Sequence, residues 1–524
     1  MSPAPPTGAR VARAVYAARV TEILTRTFAA DHTTPVRAYA ALRAQSPGRS
    51  SFLLESVLPG ERWGRYSILG YRARTENAYP ANSMAMEMLA EDVSKLEDVE
   101  GLAARFSQAL VGYVSYDVVH SMHGIKPWPT DAMVARLMRD ATVVVFDNLT
   151  QTMTIAGRTK GAIERCAWEM THGPELEPMA PPAADGEPLF LEVNVEDEAY
   201  GMRVMRAKEY IAAGDCFQVV LARTFRAPMR NADPFDVYRA LRVLSPSPYL
   251  YFLDFAETPF AEGLQIAGAS PETMVRVANG RMTLRPIAGT RRRGDSFEED
   301  EGLAQELIND PKERAEHVML VDLARNDAGR VCTAGSVELT ENMVVERYSH
   351  VMHIVSEVSG ELRPDVTVVD AVRSAFPAGT LSGAPKVRAT QIIRELESAP
   401  RGVYGGAIGY FAPDKTVDLA IAIRTVVARR GEFEVTAGAG IVEGSVPEAE
   451  AQETRSKARA ALAAIRFAQD AADRREAREE AKRAKAEAEE RAKAEAERAA
   501  AEKAEAENAA SSTSEGGEGQ EGSS

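Results

Sequence analysis

The sequence predicts an α+β protein built on antiparallel sheet, and three features point there. Thr273–Val277 and Arg281–Leu284 read as short strands joined by Asn279-Gly280, a pair suited to the tight turn of a hairpin. A second strand pair flanks Arg429-Arg430-Gly431, with Asp418 to Val427 before it and Phe433 to Ala437 after it. Helical and strand patterns also mix without the regular alternation that parallel sheets require.

The elements follow in order. Residues 1–15 are expected to form a disordered leader, and residues 16–172 a first block. In that block Ser51–Val57 reads as a largely buried strand, and Val143–Phe146 as another, ended by Asp147-Asn148. Pro174, Pro178, Pro181 and Pro182 mark residues 173–192 as a linker. A second block covers 193–467 and opens with a helix, Glu196 to Ala213, closed by Gly214. Residues 468–510 form a charged helical tail, almost entirely Ala, Glu, Lys and Arg from Asp473 to Asn508. The tail lacks a large-apolar heptad, so it reads as a solvated helix supported by Glu/Lys pairs. A partner-binding helix is the alternative. Residues 511–524 are Ser/Gly/Glu-rich and expected to be disordered.

Composition narrows the function. The chain has 524 residues, is 45% hydrophobic and carries a formal charge of −15, which argues against a nucleic-acid partner. The three cysteines, Cys166, Cys216 and Cys332, have no metal or disulfide spacing. No signal-peptide core and no membrane-length apolar run is present, so a soluble, cytoplasmic protein is expected.

Two helices carry similar acidic pairs. One starts at Asp310-Pro311 and places Glu313 and Glu316 three apart. The other starts near Ser445-Val446-Pro447 and places Glu450 and Glu453 three apart. Together they can hold a hard divalent cation such as Mg2+, or each pair can simply favour its helix N-terminus. Glycine-rich turns are expected at Ala288-Gly289-Thr290, Ala378-Gly379-Thr380 and Gly438-Ala439-Gly440, where backbone N–H groups can receive carboxylates. Leu381–Lys386 does not have phosphate-loop spacing, because Pro385 precedes Lys386. Arg424 interrupts an apolar strand and needs an anion, from the protein or from a ligand. His353, within Met352-His353-Ile354-Val355, is either a hydrogen-bonded core residue or a base. These features suggest a magnesium-dependent enzyme for a small polycarboxylate without naming its reaction.

The ordered motifs go further. They are Glu209-Tyr210-Ile211 through Phe217-Gln218-Val219-Val220, Ala269-Ser270-Pro271-Glu272, Arg285-Pro286-Ile287-Ala288-Gly289-Thr290-Arg291, Lys312 to Arg330, Phe376 to Arg388, Tyr404 to Phe411, Gly438 to Val442 and Pro447 to Lys457. In these the chain resembles the chorismate-utilising enzyme family. The first block resembles that family's regulatory half through Thr34-Pro35-Val36, Leu53-Leu54-Glu55-Ser56 and Gly112-Tyr113-Val114. The resemblance implies a large two-layer, mostly antiparallel β-sandwich surrounded by helices.

It also implies roles. Glu316 and Glu453 would bind Mg2+, with Glu313 and Glu450 holding its waters. Gly289, Thr290, Tyr404, Arg424, Gly438, Ala439, Gly440 and Lys457 would bind chorismate. Glu272 would be the general acid, with His353 and Thr380 assisting a later loss of pyruvate. Relatives that add water carry lysine where Gln218 stands, and aminodeoxychorismate synthases carry lysine at Ala288. Neither Gln218 nor Ala288 can supply that chemistry, so the expected reaction is amination of chorismate by ammonia to anthranilate, the first step of tryptophan biosynthesis. The rivals are synthesis of aminodeoxychorismate or aminodeoxyisochorismate, and a catalytically silent chorismate or tryptophan sensor.

No glutaminase nucleophile turn surrounds any cysteine, so ammonia is expected from a separate glutamine amidotransferase subunit. Feedback by L-tryptophan is expected through Ser56, Pro248, Tyr249 and Leu250. In that segment Ser245 and Leu250 replace the family's usual Asn and Met, and Ala222-Arg223-Thr224 replaces Ser-Gln-Arg.

Overall fold

The computed structural model describes residues 22–56, 64–129, 132–181, 189–348 and 351–514. The expected leader at 1–15, Val57 of the predicted strand and residues 515–524 of the expected disordered tail lie outside them. Two antiparallel sheets, of twelve and ten strands, form the centre. The Asn279-Gly280 hairpin forms as its turn residues require, with φ of 54° and 74°, the left-handed values of a tight hairpin turn.

The two sequence blocks are interleaved. In the larger sheet Ser51–Glu55 pairs with Tyr249–Phe255. In the smaller sheet Leu110–Val114 pairs with Ala407–Phe411. Alternation along these strands sends Phe52, Leu253 and Ile266 between the sheets to meet Val111 and Ile408. The opposite face of the larger sheet, with Leu53 and Phe252, packs on helices Pro35–Ala44 and Pro234–Leu244.

The structure departs from the expected strand at 418–427, from the expected boundary at 467/468 and from the expected disorder at 511–514. The single strand predicted from Asp418 to Val427 is two strands in different sheets. Val417–Ile421 belongs to the smaller sheet and Thr425–Arg429 to the larger. The chain crosses between them through Arg424, whose φ is 50°, a left-handed conformation that ends regular pairing. The predicted boundary at 467/468 falls inside one helix, Pro447–Ser514. That helix packs Ala458, Ala461, Ile465, Ala468 and Ala472 into the core and continues as the exposed tail. Its 68 residues span about 100 Å at the α-helical rise. No helix among the described residues is long and apolar enough to cross a membrane.

Candidate active site

The end of strand Leu264–Ser270 delivers Glu272 into the interior. The Ser270 hydroxyl accepts the Glu272 backbone N–H at 3.3 Å and fixes the turn. Thr380, from the short helix Gly379–Ser382, donates to Glu272 Oε1 at 2.9 Å. Burial pushes the Glu272 carboxyl up to about 7, against the opposing effects of the Thr380 bond, Lys457 and Arg424. A carboxyl so poised can hold a proton at neutral pH and give it up.

Arg424 lies beside this acid because the sheet-to-sheet crossing places it there. Burial lowers its pKa, while Glu272 and the Tyr348 phenol oppose that shift. Among the described residues it makes no salt bridge. A buried guanidinium without an ion pair is a site for an anion.

The pairing of Ile287–Arg292 with Val351–Glu361 is irregular between Ala288 and Arg291. Gly289 takes φ 67° there. A side chain at this position would press on Leu307 and on Glu313 Oε2, so glycine lets this strand lie against the first acidic helix. The Gly289 carbonyl faces His353 Nδ1 at 2.8 Å, and Thr290 Oγ1 lies 3.1 Å from the same nitrogen. Burial lowers the pKa of His353, which favours the neutral ring. With Nδ1–H donating to the carbonyl, Nε2 keeps its lone pair for a substrate proton.

Gly438-Ala439-Gly440, expected as a turn, lies instead within the continuous strand Glu432–Ile441. The glycines serve close approach. A Cβ at Gly438 would sit 2.9 Å from the Tyr404 hydroxyl, and one at Gly440 would sit 2.5 Å from Gln218 Nε2. Lys457 donates to the Gly438 carbonyl at 3.1 Å and pairs with Glu453 at 2.7 Å.

The two acidic helices begin as their sequences require. Asp310 Oδ1 accepts the N–H groups of Lys312 and Glu313, with Pro311 in the first turn. Gln218 Nε2 donates to Glu316 Oε1 at 3.4 Å. Burial first, and then the charge of Glu453, raise the pKa of Glu450. Glu450 Oε2 is buried without a hydrogen-bond partner. Among the described residues these glutamates do not form a ready-made cluster of metal ligands. Their chemistry nevertheless fits a hard cation. A water on that ion would supply the missing partner of Glu450 Oε2, and its charge would offset the Glu450–Glu453 repulsion.

The residues expected to bind tryptophan are not brought into one side-chain pocket. Strand alternation sends Leu250 into the core under the helices and Tyr249 between the sheets. The Tyr249 hydroxyl bonds Thr273 and Asp418, each at 2.9 Å. Pro248 precedes this strand and is buried. The Ser56 hydroxyl is buried and has no hydrogen-bond partner among the described residues.

One site residue had no sequence signal. Tyr348, just beyond the end of strand Glu338–Arg347, packs edge-on to His353 with ring centroids 5.6 Å apart and donates to Glu346 at 2.8 Å. Only the fold of that strand onto its neighbour brings Tyr348 here.

With this geometry in view, comparison with known proteins is specific. Residues 59–463 match the family described as chorismate binding enzyme. Anthranilate synthase component 1 of Pseudomonas putida is 44% identical, over 84% of this chain and 94% of that protein. Its namesake from Thermus thermophilus is 42% identical, over 85% and 98%. The crystal structure of anthranilate synthase component I from Streptococcus pneumoniae superposes with a TM-score of 0.66 at 35% identity, covering 82% of this chain and 98% of that one. The menaquinone-specific isochorismate synthase of Escherichia coli has the same TM-score at 17% identity, over 85% and 95%, and shares the fold.

Proposed function

The chain belongs to the chorismate-binding enzyme family, and from that premise we propose that it converts chorismate and ammonia to anthranilate and pyruvate. The observation that carries the reading is the Glu272 carboxyl, buried, held by Thr380, raised to about 7 and placed beside Arg424. Arg424 and Lys457 attract the substrate carboxylates, and the glycine strand lets Tyr404 and Gln218 approach closely enough to line the substrate. Glu272 gives its proton to the C4 hydroxyl as ammonia adds at C2; the C4–O bond breaks, water leaves, and the new ammonium group returns a proton to the Glu272 carboxylate. His353 Nε2 then takes the C2 proton as the C3–O bond breaks and the ring becomes aromatic; the enolpyruvate that leaves takes a proton on its methylene carbon, from the imidazolium, and becomes pyruvate. Glu316 and Glu453 would hold Mg2+, with Glu313 and Glu450 on its waters. When bound, the ion supplies positive charge to the ring carboxylate. Gln218 and Ala288 place no lysine at the positions that divert relatives to other products.

The same reading gives the chain a glutamine amidotransferase partner as its ammonia source and L-tryptophan as inhibitor. The purified chain alone is expected to use ammonium and not glutamine, and to lose activity as tryptophan is added. Glutamine-dependent turnover without a partner would remove the partner from the account. Full activity in millimolar tryptophan would remove the feedback.

A further inference from the structure

The active site draws its walls from segments far apart in sequence, and one buried ion pair joins three of them. Arg401 and Glu397 are both nearly inaccessible, with side chains 2% and 6% exposed. The pair is bidentate, with Arg401 Nε donating to Glu397 Oε2 at 2.9 Å and Nη2 to Oε1 at 2.6 Å. A bare ion pair at this depth would be a net cost. This one uses its remaining hydrogen-bonding capacity on backbone. Arg401 Nη1 donates at 2.6 Å to the carbonyl of Leu381, the residue after Thr380. Arg401 Nη2 donates at 2.7 Å to the carbonyl of Val220, two residues after Gln218. Glu397 Oε1 accepts the Ala222 N–H at 2.8 Å. The guanidinium also lies 4.4 Å from the ring centre of Tyr116 and 5.8 Å from that of Tyr404.

We infer that Arg401, oriented by Glu397, is a positioning residue that holds Thr380, Tyr404 and the Gln218 strand in register for substrate. The inference rests on the chorismate reading above. The planar fork matters, because its separate N–H groups reach two carbonyls and a carboxylate at once. A lysine ammonium is a point donor and cannot span them. Arg401 does not contact the reacting atoms. Its effect passes through the groups that do.

The test uses the full chain with chorismate, ammonium and Mg2+, following anthranilate fluorescence. Arg401→Lys is expected to raise KM for chorismate about tenfold and lower kcat about tenfold, with KM for ammonium unchanged. Combined with Tyr404→Phe, the loss should be smaller than the product of the two single losses, because both act on one group. Millimolar guanidinium should restore part of the activity of Arg401→Ala, and methylammonium should not. A folded Arg401→Lys with wild-type kcat and chorismate KM overturns the inference, as does strict multiplicativity with Tyr404→Phe. If the Arg401 variants do not fold, Glu397→Gln is measured instead. The same rise in chorismate KM supports the inference, and a wild-type KM overturns it. Wild-type enzyme run in parallel separates the two readings, since its own failure to bind or turn over chorismate contradicts the proposed function and the inference with it.

Discussion

The carboxyl of Glu272, the proposed acid, carries a stability cost that can be measured. Its carboxyl ionises near 4.5 when exposed and at about 7 in the fold. Between those values the unfolded chain has released the proton and the folded chain still holds it. Stability therefore falls as pH rises from about 4.5 through about 7, and the loss stays constant above that. Its full size is about 3 kcal/mol. Glu272→Gln removes this penalty. The variant should match wild type near pH 4 and exceed it by up to about 3 kcal/mol at pH 8 in chemical denaturation. It should also lose at least about 100-fold in turnover, the usual share of a general acid. In wild type, kcat/KM should fall as pH rises above about 7, because the acid form disappears. Equal stability of the two proteins at pH 8 would mean that burial does not raise the pKa of this carboxyl.

At the scale of elements, each acidic helix depends on its start. Asp310 caps the helix Pro311–Gly329 and also binds Arg291 at 2.9 Å, on the strand that carries Gly289 and Thr290. Asp310→Ala should cost about 1 kcal/mol in thermal unfolding and raise the Mg2+ concentration needed for half-maximal activity. Unchanged Mg2+ activation would separate this helix from the metal. The far end of the Pro447–Ser514 helix is different. Ala458, Ala461, Ala464, Ala468 and Ala472 pack in the core, while beyond Glu476 its described side chains are exposed. A chain ending at residue 480 keeps the Arg475–Asp236 and Arg478–Glu177 ion pairs. It should keep the melting temperature and kcat of the full chain while losing helical circular dichroism. A loss of activity would give the tail a working role.

The same elements explain what could be read in the sequence. The 273–284 hairpin was legible because Asn279-Gly280 suits only a tight left-handed turn. The start of the first acidic helix was legible because Asp310-Pro311 is a local cap. The break at Arg424 was not, because apolar residues run on both sides and only the second sheet gives the crossing a reason. Gly438-Ala439-Gly440 suggested a turn for lack of side chains, whereas those side chains are absent to admit Tyr404 and Gln218. Tyr249 and Leu250 are neighbours in sequence but face opposite sides of their strand. Resemblance supplied the site residues as a set. Their convergence from distant segments is tertiary and left no periodicity to find.

For the whole molecule, the interleaved sheets make one scaffold from both sequence blocks. Strands from the first block carry the Leu53-Leu54-Glu55-Ser56 segment directly against Tyr249–Phe255, whose neighbouring strand leads to Glu272. A ligand bound between the blocks would thus lie on elements that continue toward Glu272, a physical route for the proposed feedback. The central claim is the reaction itself. Purified wild type incubated with chorismate, ammonium and Mg2+ should release fluorescent anthranilate and pyruvate in equal amounts, and Glu316→Gln should abolish the signal. A non-fluorescent amino product without pyruvate, or turnover that survives Glu316→Gln unchanged, would contradict the account.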